Sequence, residues 1–465
     1  DANTTASNNT AVGKAALGVN STGTSNVAVG AFALDAATTA DQNTAVGHNA
    51  LGASTTGNLN VAIGDHAMSS STTADRNVAI GSQTMASYSG NGDNYSVAVG
   101  FRACQSTTTA SQFTALGADA LVSTTTGDRN VAVGYSAGSS LTTGSNNVIA
   151  GTSVMQNSVT GSSNVVIGHR AYRLGNAGNS NVGVGLEVLE DNTANNNTAV
   201  GATALKQNTT GIENTAVGDE ALDSNTTSNY NTAIGYAAGK NNTSGGPWTF
   251  VGWQAGFNKG DGGSGNGTAV GYQALFASGG PLRNTAVGYQ ALYNTTNYGD
   301  NNTGVGHQAL KENTSGEKNI AIGTYAVISN TTGDKNIGIG YQALKACTTG
   351  VNNVCIGDDA GNGITTGDGN IFIGKGVADG GSFSTGSNNI IIGVDTNPSL
   401  GSQTNELKLG NGSTAVFRCN VQTISSLSDV RDKTDIVDIP DGLDFINSVR
   451  PVKYKWDRRK PDDTC

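Results

Sequence analysis

The sequence is poor in the residues that build thick globular cores and charged surfaces. Among 465 residues, aromatic side chains make up 6% and charged side chains 13%, and there are only 6 prolines, 3 methionines and 3 tryptophans. So few large side chains exclude a thick core, but they suffice for a thin core repeated many times. We therefore do not expect the roughly three ordinary domains that the length alone would allow.

Positive charge and long apolar runs are also scarce. The formal net charge is −10, so a phosphate-binding surface and a nucleic-acid partner are not expected. No apolar run reaches the length of about 18 residues that crosses a bilayer, so no membrane insertion is expected. The chain begins at Asp1 with neither Met nor a signal peptide, which predicts a mature or excised piece.

Cysteine is rare and irregularly placed. The five cysteines are Cys104, Cys347, Cys355, Cys419 and Cys465. Their number is odd and their spacing is not that of metal ligands, so neither a disulfide framework nor a metal site is predicted. We expect buried or incidental thiols.

What the sequence has in abundance is glycine, with 66 residues, and a repeat. A glycine that follows a short aliphatic stretch recurs 23 times from Gly13 to Gly393, and 17 of the 22 spacings are 17 residues. The unit is approximately Asn-Thr-Ala-Val-Gly-x-x-Ala-Leu, then polar residues, then Thr-Thr-Gly. A fixed period of this kind predicts a solenoid. Helix is disfavoured because the apolar residues alternate and Gly, Asn and Thr dominate.

Alternation within the unit predicts a short strand before each recurring glycine. Counting from the recurring glycine as position 0, position −3 is Thr, Val or Ile in all 23 units and position −1 is Val or Ile in 21. Residues two apart share a strand face, so we expect positions −3 and −1 to fill the inside of each coil. Position −2 is Ala in 14 units and Gly in 3. This bare outer face predicts close contact with another chain, as in a trimer around one axis.

The remaining positions predict corners and turns. Position −4 is Asn in 19 units, and stacked amides there can hydrogen-bond from coil to coil as a ladder. Ala at +3 and Leu at +4, for example Leu34 and Leu205, are expected to form a second short strand or a corner that packs inward. The Thr-Thr-Gly stretch is interpreted as a return turn whose glycine supplies a positive φ. Coils stacked about 4.8 Å apart would make a rod of roughly 110 Å.

Segments 60–64, 77–81 and 319–323, which read Asn-Val-Ala-Ile-Gly or Asn-Ile-Ala-Ile-Gly, resemble the head repeats of trimeric autotransporter adhesins. The resemblance covers about residues 1–394, although the coils of those heads are usually shorter. It implies a left-handed parallel β-roll with three chains to a head. The predicted fold class is therefore all-β, a 17-residue-repeat parallel β-solenoid in a homotrimeric fibre.

The C-terminal segment carries a second resemblance. Segments 428–433 (Ser-Asp-Val-Arg-Asp-Lys), 443–446 and 450–456 resemble the start of the intramolecular chaperone domain of phage tail spikes and fibres, the endosialidase type. That family trimerises a fibre and then cuts itself off. The resemblance implies Ser428 as nucleophile, Lys433 as its base, and cleavage between Leu427 and Ser428; a lysine can act so if its pKa is depressed. Only 38 residues follow Leu427, so an ordinary helix start and a solvated charge stay open as the alternative.

Between these parts, the segments 406–409 and 415–421 alternate apolar and polar residues, which predicts strands. The predicted domains are a solenoid shaft at 1–394, a β-strand neck at 395–427 and a partial chaperone domain at 428–465.

Position +1 supplies the candidate binding residues. Aromatic rings in one column can stack on sugars or on each other, so glycan contact and structural stacking both stay open. The histidines of this column are far apart in sequence, so no metal site is predicted. No cofactor is expected, because no glycine-rich loop leads into a phosphate-binding helix. The aromatic candidates are Tyr135, Tyr236, Trp253, Tyr272, Tyr289 and Tyr341, and the histidines are His48, His169 and His307.

These observations favour an adhesive fibre over an enzyme. The predicted function is a phage tail-fibre shaft for host attachment, located in the virion tail or on an extracellular surface, with a host-cell receptor, most simply a glycan, as partner. Three identical chains would raise avidity. One alternative is a monomeric ice-binding or cell-surface structural solenoid, which the threonine content suggests. Another is a tail-spike polysaccharide depolymerase, which would need a pair of carboxylates across a groove.

Overall fold

The computed structural model describes residues 5–414, except residues 177, 259–264, 278, 280–282, 297, 381–382 and 400–401. Residues 1–412 form one compact unit and residues 413–465 a second, of which only 413 and 414 are described. The described residues form 26 strands and no helix, and hence no helix that could cross a membrane. The strands are β1 Thr10–Val12, β2 Val27–Val29, β3 Thr44–Val46, β4 Val61–Ile63, β5 Ala74–Asp75, β6 Val78–Ile80, β7 Gly92–Asp93, β8 Val97–Val99, β9 Thr114–Leu116, β10 Val131–Val133, β11 Val148–Ala150, β12 Val165–Ile167, β13 Val182–Val184, β14 Thr198–Val200, β15 Thr215–Val217, β16 Thr232–Ile234, β17 Trp248–Val251, β18 Gly267–Val270, β19 Thr285–Val287, β20 Thr303–Val305, β21 Ile320–Ile322, β22 Ile337–Ile339, β23 Val354–Ile356, β24 Ile371–Ile373, β25 Ile390–Ile392 and β26 Leu407–Leu409.

One parallel sheet of 24 strands contains every strand except β5 and β7, which pair with each other. Each strand of this sheet includes positions −3 to −1 of its coil and pairs with the same positions of the next coil, as in Ala28 opposite Ala45. The register never slips by a residue, because the repeat brings the chain back to the same point in every coil. The predicted parallel β-solenoid is confirmed. At about 4.8 Å per strand the sheet is roughly 110 Å long.

The strand side chains face the opposite way from the prediction. Position −2 lies inside, where Ala28, Ala45 and Ala62 are fully buried, whereas Ile63 at position −1 remains 37% exposed. The prediction that −3 and −1 fill the interior, with −2 as a bare outer face, is wrong. Alternation separates the two sets without saying which points inward. The interior has room for little more than an alanine beside the buried leucine at +4, such as Leu34.

Before the large −2 side chains Ile149, Phe250 and Phe372, glycine replaces leucine at position +4 of the preceding coil. A Cβ on Gly138 would lie 2.9 Å from Cδ1 of Ile149, and a Cβ on Gly239 would lie 2.6 Å from Cδ2 of Phe250. In these coils the glycine makes room for the larger side chain, as close packing requires.

The predicted asparagine ladder is confirmed. The backbone N–H of Asn43 donates to Oδ1 of Asn26 at 2.9 Å, and Nδ2 of Asn43 donates to the carbonyl of Gly57 at 2.8 Å. Both asparagines are buried. Each amide thus joins its own coil to the coils on both sides, and it satisfies backbone groups that the turn leaves unpaired.

Glycine recurs at position 0 and at the end of the turn motif, and its backbone conformation differs between the two positions. Gly30, at position 0, has φ +134°, and a Cβ there would overlap the carbonyl of Gly47. Gly23, which ends a Ser-Thr-Gly variant of the turn motif, does not have a positive φ, so the prediction for that glycine is wrong. A Cβ there would overlap the carbonyl oxygen of Ala40, so close approach between coils favours glycine at this turn.

The sheet continues past the predicted end of the shaft at residue 394. Strand β26 pairs in parallel with β25, and Gly410 lies 17 residues after Gly393. The strand predicted at 406–409 therefore forms, but as a further coil of the solenoid. The segment 415–421 lies outside the described residues.

The described cysteines are buried thiols, as predicted: Cys104, Cys347 and Cys355 are free and buried. Burial raises the pKa of Cys347 to about 12. Cys419 and Cys465 lie outside the described residues.

Candidate functional site

Position +1 of five consecutive coils forms a stack of rings on the surface. From Tyr236 through Trp253, Tyr272 and Tyr289 to His307, successive ring centroids lie 5.7, 4.8, 5.2 and 4.9 Å apart, and interplanar angles do not exceed 21°. The repeat produces this stack, because a side chain at a fixed position of each coil meets its counterpart one strand spacing away. Four of the six predicted aromatic candidates meet here.

The stacked rings cover one another's faces and leave their edges outward. Trp253 and Tyr272 are 40% and 41% exposed. Sugar rings therefore cannot stack on the ring faces inside the column. These rings stack on each other instead. Tyr341 lies outside the parallel stack, edge-on to Tyr325 with 6.4 Å between centroids. Tyr135 belongs to a much earlier coil and is 57% exposed.

A ladder of glutamines at position +2 runs beside the stack. Nε2 of Gln273, Gln290 and Gln308 each donates to Oε1 of the previous glutamine at 3.0 Å, beginning with Gln254. An inner amide of such a ladder uses one of its two N–H groups and one of its oxygen lone pairs, so one donor and one acceptor remain. Sequence reasoning missed this ladder. Its signal was a glutamine directly after the position +1 residue in four consecutive coils.

We call these two columns together the tyrosine–glutamine face. Its members are Tyr236, Trp253, Tyr272, Tyr289 and His307 at position +1, and Gln254, Gln273, Gln290 and Gln308 at position +2. It offers ring edges, phenol groups and spare amide donors and acceptors, repeated once per coil. Such a surface can hydrogen-bond a hydroxyl-rich polymer at several points.

A parallel column at position +5 supports three of these five coils. The rings of Phe257, Phe276 and Tyr293 stack with centroids 5.3 and 5.0 Å apart and interplanar angles of 8° and 5°. These rings hold the coils that carry the tyrosine–glutamine face in a fixed relative position.

Charged side chains gather in an earlier group of coils. Glu187 lies 2.9 Å from Arg170 and 2.6 Å from Lys206, and Glu190 lies 2.8 Å from Arg173. The hydrogen bond from Lys206 holds the pKa of Glu187 below its usual value, against the opposing effect of burial and with help from nearby positive charges. Both carboxylates are paired with basic side chains, which suits a structural network better than a proton donor for glycoside cleavage.

The histidine column is divided between three surroundings. His307 ends the ring stack, and His169 precedes Arg170 in the charged group. His48 lies beside Asp65 and His66 of the next coil, with its Nδ1 3.2 Å from Oδ1 of Asp65. Sequence reasoning missed this meeting because His66 stands at position +2, outside the histidine column at position +1.

The predicted autocleavage residues, Ser428 and Lys433, and the bond after Leu427 lie outside the described residues. Residues 428–464 match the family model of the chaperone of endosialidase. This match confirms the resemblance for the C-terminal segment. No curated protein and no solved structure is significantly similar to the chain.

Proposed function

We propose that the chain is the shaft of a homotrimeric adhesive fibre, of the tail-fibre or tail-spike type, that attaches a virion or an extracellular surface structure to a host cell. One combination carries the proposal: a solenoid of 24 paired coils is followed by a segment that matches an endosialidase chaperone. A long, repetitive solenoid suits spacing and presentation, and a chaperone segment at its end suits assembly of identical chains.

The corrected strand orientation favours one surface for the packing of three chains. Positions −3 and −1 face outward as two rows of Thr, Val and Ile, with Leu and Ala as the exceptions, and none of the 23 units places a charge there. Val133, Ile234 and Ile322 keep 41%, 43% and 41% of their surface exposed. An uncharged, flat and partly apolar strip of this kind is typical of a surface that another protein covers.

The size of this strip fits an interface between chains. Three residues at about 3.3 Å and 24 strands at about 4.8 Å give a face of roughly 1,100 Å² per chain. A standard protein interface buries about 800 Å² per partner. In a trimer each chain shares this strip between two neighbours, so each pair of chains would bury roughly 1,100 Å² in total, which is above the ~1,000 Å² that a specific interface needs.

The chaperone segment fits a problem that the repeat creates. Near-identical coils specify the relative register of the three chains only weakly, because a shift by one coil keeps most contacts. A C-terminal domain that aligns the chains first would fix that register. In this proposal Lys433 accepts the hydroxyl proton of Ser428 while the Ser428 oxygen attacks the carbonyl carbon of Leu427. The C–N bond between Leu427 and Ser428 then breaks, its nitrogen takes the proton to become an amine, and water hydrolyses the resulting ester, which releases the chaperone after assembly.

Attachment would use the tyrosine–glutamine face. Its spare amide groups on Gln273 and Gln290, together with the exposed edge of Tyr272, suit hydrogen bonds to the hydroxyls of a surface glycan. Three chains would present three copies, so weak single contacts would sum to useful avidity.

Native mass spectrometry, with a denatured run alongside, tests the assembly. The expected result is a trimer of chains of 46.8 kDa, or of chains ending at Leu427 if Ser428 is active. Replacing Val133, Ile234 and Ile322 together by lysine should give monomers with an unchanged far-ultraviolet circular dichroism spectrum. A stable wild-type monomer would contradict the trimer and favour a lone structural solenoid.

A glycan array tests attachment. Bacterial surface polysaccharides are the probes, and the variant Gln273→Ala/Gln290→Ala should lose binding that the wild-type fibre shows. The matched control is Gln342→Ala, which removes a position +2 glutamine beside Tyr341, outside the ladder. Equal binding by the wild type and the ladder variant would contradict the assignment of this face.

A further inference from the structure

Two histidines and an aspartate meet on adjacent coils near the start of the solenoid. Nδ1 of His48 and Nδ1 of His66 lie 3.2 and 3.0 Å from the same oxygen, Oδ1 of Asp65. One potential ligand atom from each residue lies within 4.8 Å of the others. Within the described part of the chain this is the one such group of three.

The backbone fixes the positions from which these side chains start. His48 stands at position +1 of its coil, and Asp65 and His66 stand at +1 and +2 of the next. The N–H of His66 donates to the carbonyl of His48 at 2.9 Å, and the N–H of Gln83 donates to the carbonyl of Asp65 at 2.8 Å. The flanking strands β3 and β4 pair in register. The group therefore rests on two coils joined by the sheet, and not on a loose loop.

The side chains themselves remain accessible and adjustable. His48 and Asp65 are each 52% exposed and His66 is 41% exposed. The two imidazole rings lie with centroids 5.1 Å apart at an angle of 57°. Small rotations about their side-chain bonds can bring both nitrogens toward one point without disturbing the core.

We propose that His48, Asp65 and His66 bind a divalent transition-metal ion of the zinc class, with solvent in the fourth position. Two imidazole nitrogens and one carboxylate oxygen are ligands that zinc takes in proteins, at bond lengths of about 2.0–2.2 Å. A tetrahedral ion with such bonds keeps its ligands roughly 3.4 Å apart. The two nitrogen–oxygen separations already lie close to that value.

The donor set also selects among ions. Imidazole favours zinc, copper and nickel, whereas calcium takes six or more oxygen ligands, and magnesium prefers oxygen in near-octahedral geometry. The site includes residues of two coils, so an ion bound there would link the coil of Gly47 to the coil of Gly64. Because it binds the folded solenoid, its binding would raise the thermal midpoint of unfolding.

The test is titration of the full chain, freed of metal by a chelator, with zinc chloride in a calorimeter. We expect one histidine-dependent ion per chain, at least tenfold weaker binding in His48→Ala and in His66→Ala, and weaker binding in Asp65→Asn. The matched control is His169→Ala, a histidine of the same column outside the group, which should bind as the wild type does. Circular dichroism confirms that each variant is folded.

A second readout identifies the ligands. Cobalt substitution should give visible bands of a nitrogen- and oxygen-ligated ion that disappear in His48→Ala. A thiolate charge-transfer band shared by the wild type and His48→Ala would assign the ion to cysteine and overturn the proposal. So would equal zinc affinity in the wild type and both histidine variants, or calcium binding as tight as zinc binding.

Discussion

The backbone N–H of Asn60 donates to Oδ1 of Asn43, one coil earlier, at 2.9 Å, and both side chains are buried. Asn60 in turn accepts from the N–H of Asn77 at 3.0 Å and donates through Nδ2 to the carbonyl of Ala74 at 2.7 Å. One amide therefore serves three coils. A buried ladder of this kind makes each coil depend on its neighbours, which is how a solenoid without thick domains acquires cooperativity.

Replacing Asn60 by alanine should lower the stability of the solenoid by about 1–3 kcal/mol, because the N–H of Asn77 and the carbonyl of Ala74 would be left buried without their partner. The measurement is the shift of the urea unfolding midpoint. The control is Asn258→Ala, which removes an exposed amide that accepts one bond from Asn241. Equal shifts in the two variants would show that the buried ladder adds nothing to stability.

The inward orientation of position −2 makes a clear prediction for β6. Ala79→Asp should prevent folding, because Ala79 is fully buried and an unpaired carboxylate there has no partner. Ile80→Thr, at an outward position that is 36% exposed, should leave the fold intact. Soluble yield and far-ultraviolet circular dichroism distinguish the two variants. A folded Ala79→Asp variant alongside a misfolded Ile80→Thr would reverse the orientation described for this strand.

The sequence predicted the period, the parallel strands, the asparagine ladder and the aromatic column, because each depends on a residue type that recurs at a fixed position. It did not predict which strand face points inward, since alternation is symmetrical in that respect. The informative signal was the exchange of leucine for glycine near a large −2 residue, as with Gly239 and Phe250. The meeting of His48 with His66 was missed because the two occupy different columns and meet only when adjacent coils stack.

That exchange can be tested as a pair. Gly239→Leu alone should destabilise the solenoid by about 1–3 kcal/mol through overpacking against Phe250. Phe250→Ala alone should cost about 3–5 kcal/mol through the cavity it leaves. The double variant should lose less than the sum, because leucine refills part of the space. Leucine is compatible with the backbone, since Leu34 at the same position has φ 50°.

A double-mutant cycle built from thermal or urea midpoints gives the coupling between Gly239 and Phe250. The matched control pairs Gly239→Leu with Phe372→Ala, a buried −2 residue many coils away. Strict additivity in the Gly239–Phe250 cycle would contradict volume exchange between the two positions.

The ion pairs of the charged group should stabilise the folded solenoid. Glu190 is almost buried and lies 2.8 Å from Arg173 and 3.5 Å from Lys206. Glu190→Gln removes the shared anion and should cost about 1.5–3 kcal/mol, the range for hydrogen bonds to charged groups. Glu317→Gln is the control, because its pair with Lys318 is exposed and such pairs contribute little to stability.

The neighbouring carboxylate sets the direction of the pH dependence. The pKa of Glu187 is lowered in the folded chain by the hydrogen bond from Lys206, against burial and with the help of nearby positive charges. Its contribution is present above the ordinary pKa of 4.5 and is lost as the pH falls through the lower folded value. Thermal midpoints of the wild type should therefore decline below about pH 4.5, and Glu187→Gln should show a smaller decline. Parallel curves for the two proteins would mean that this network does not control acid stability.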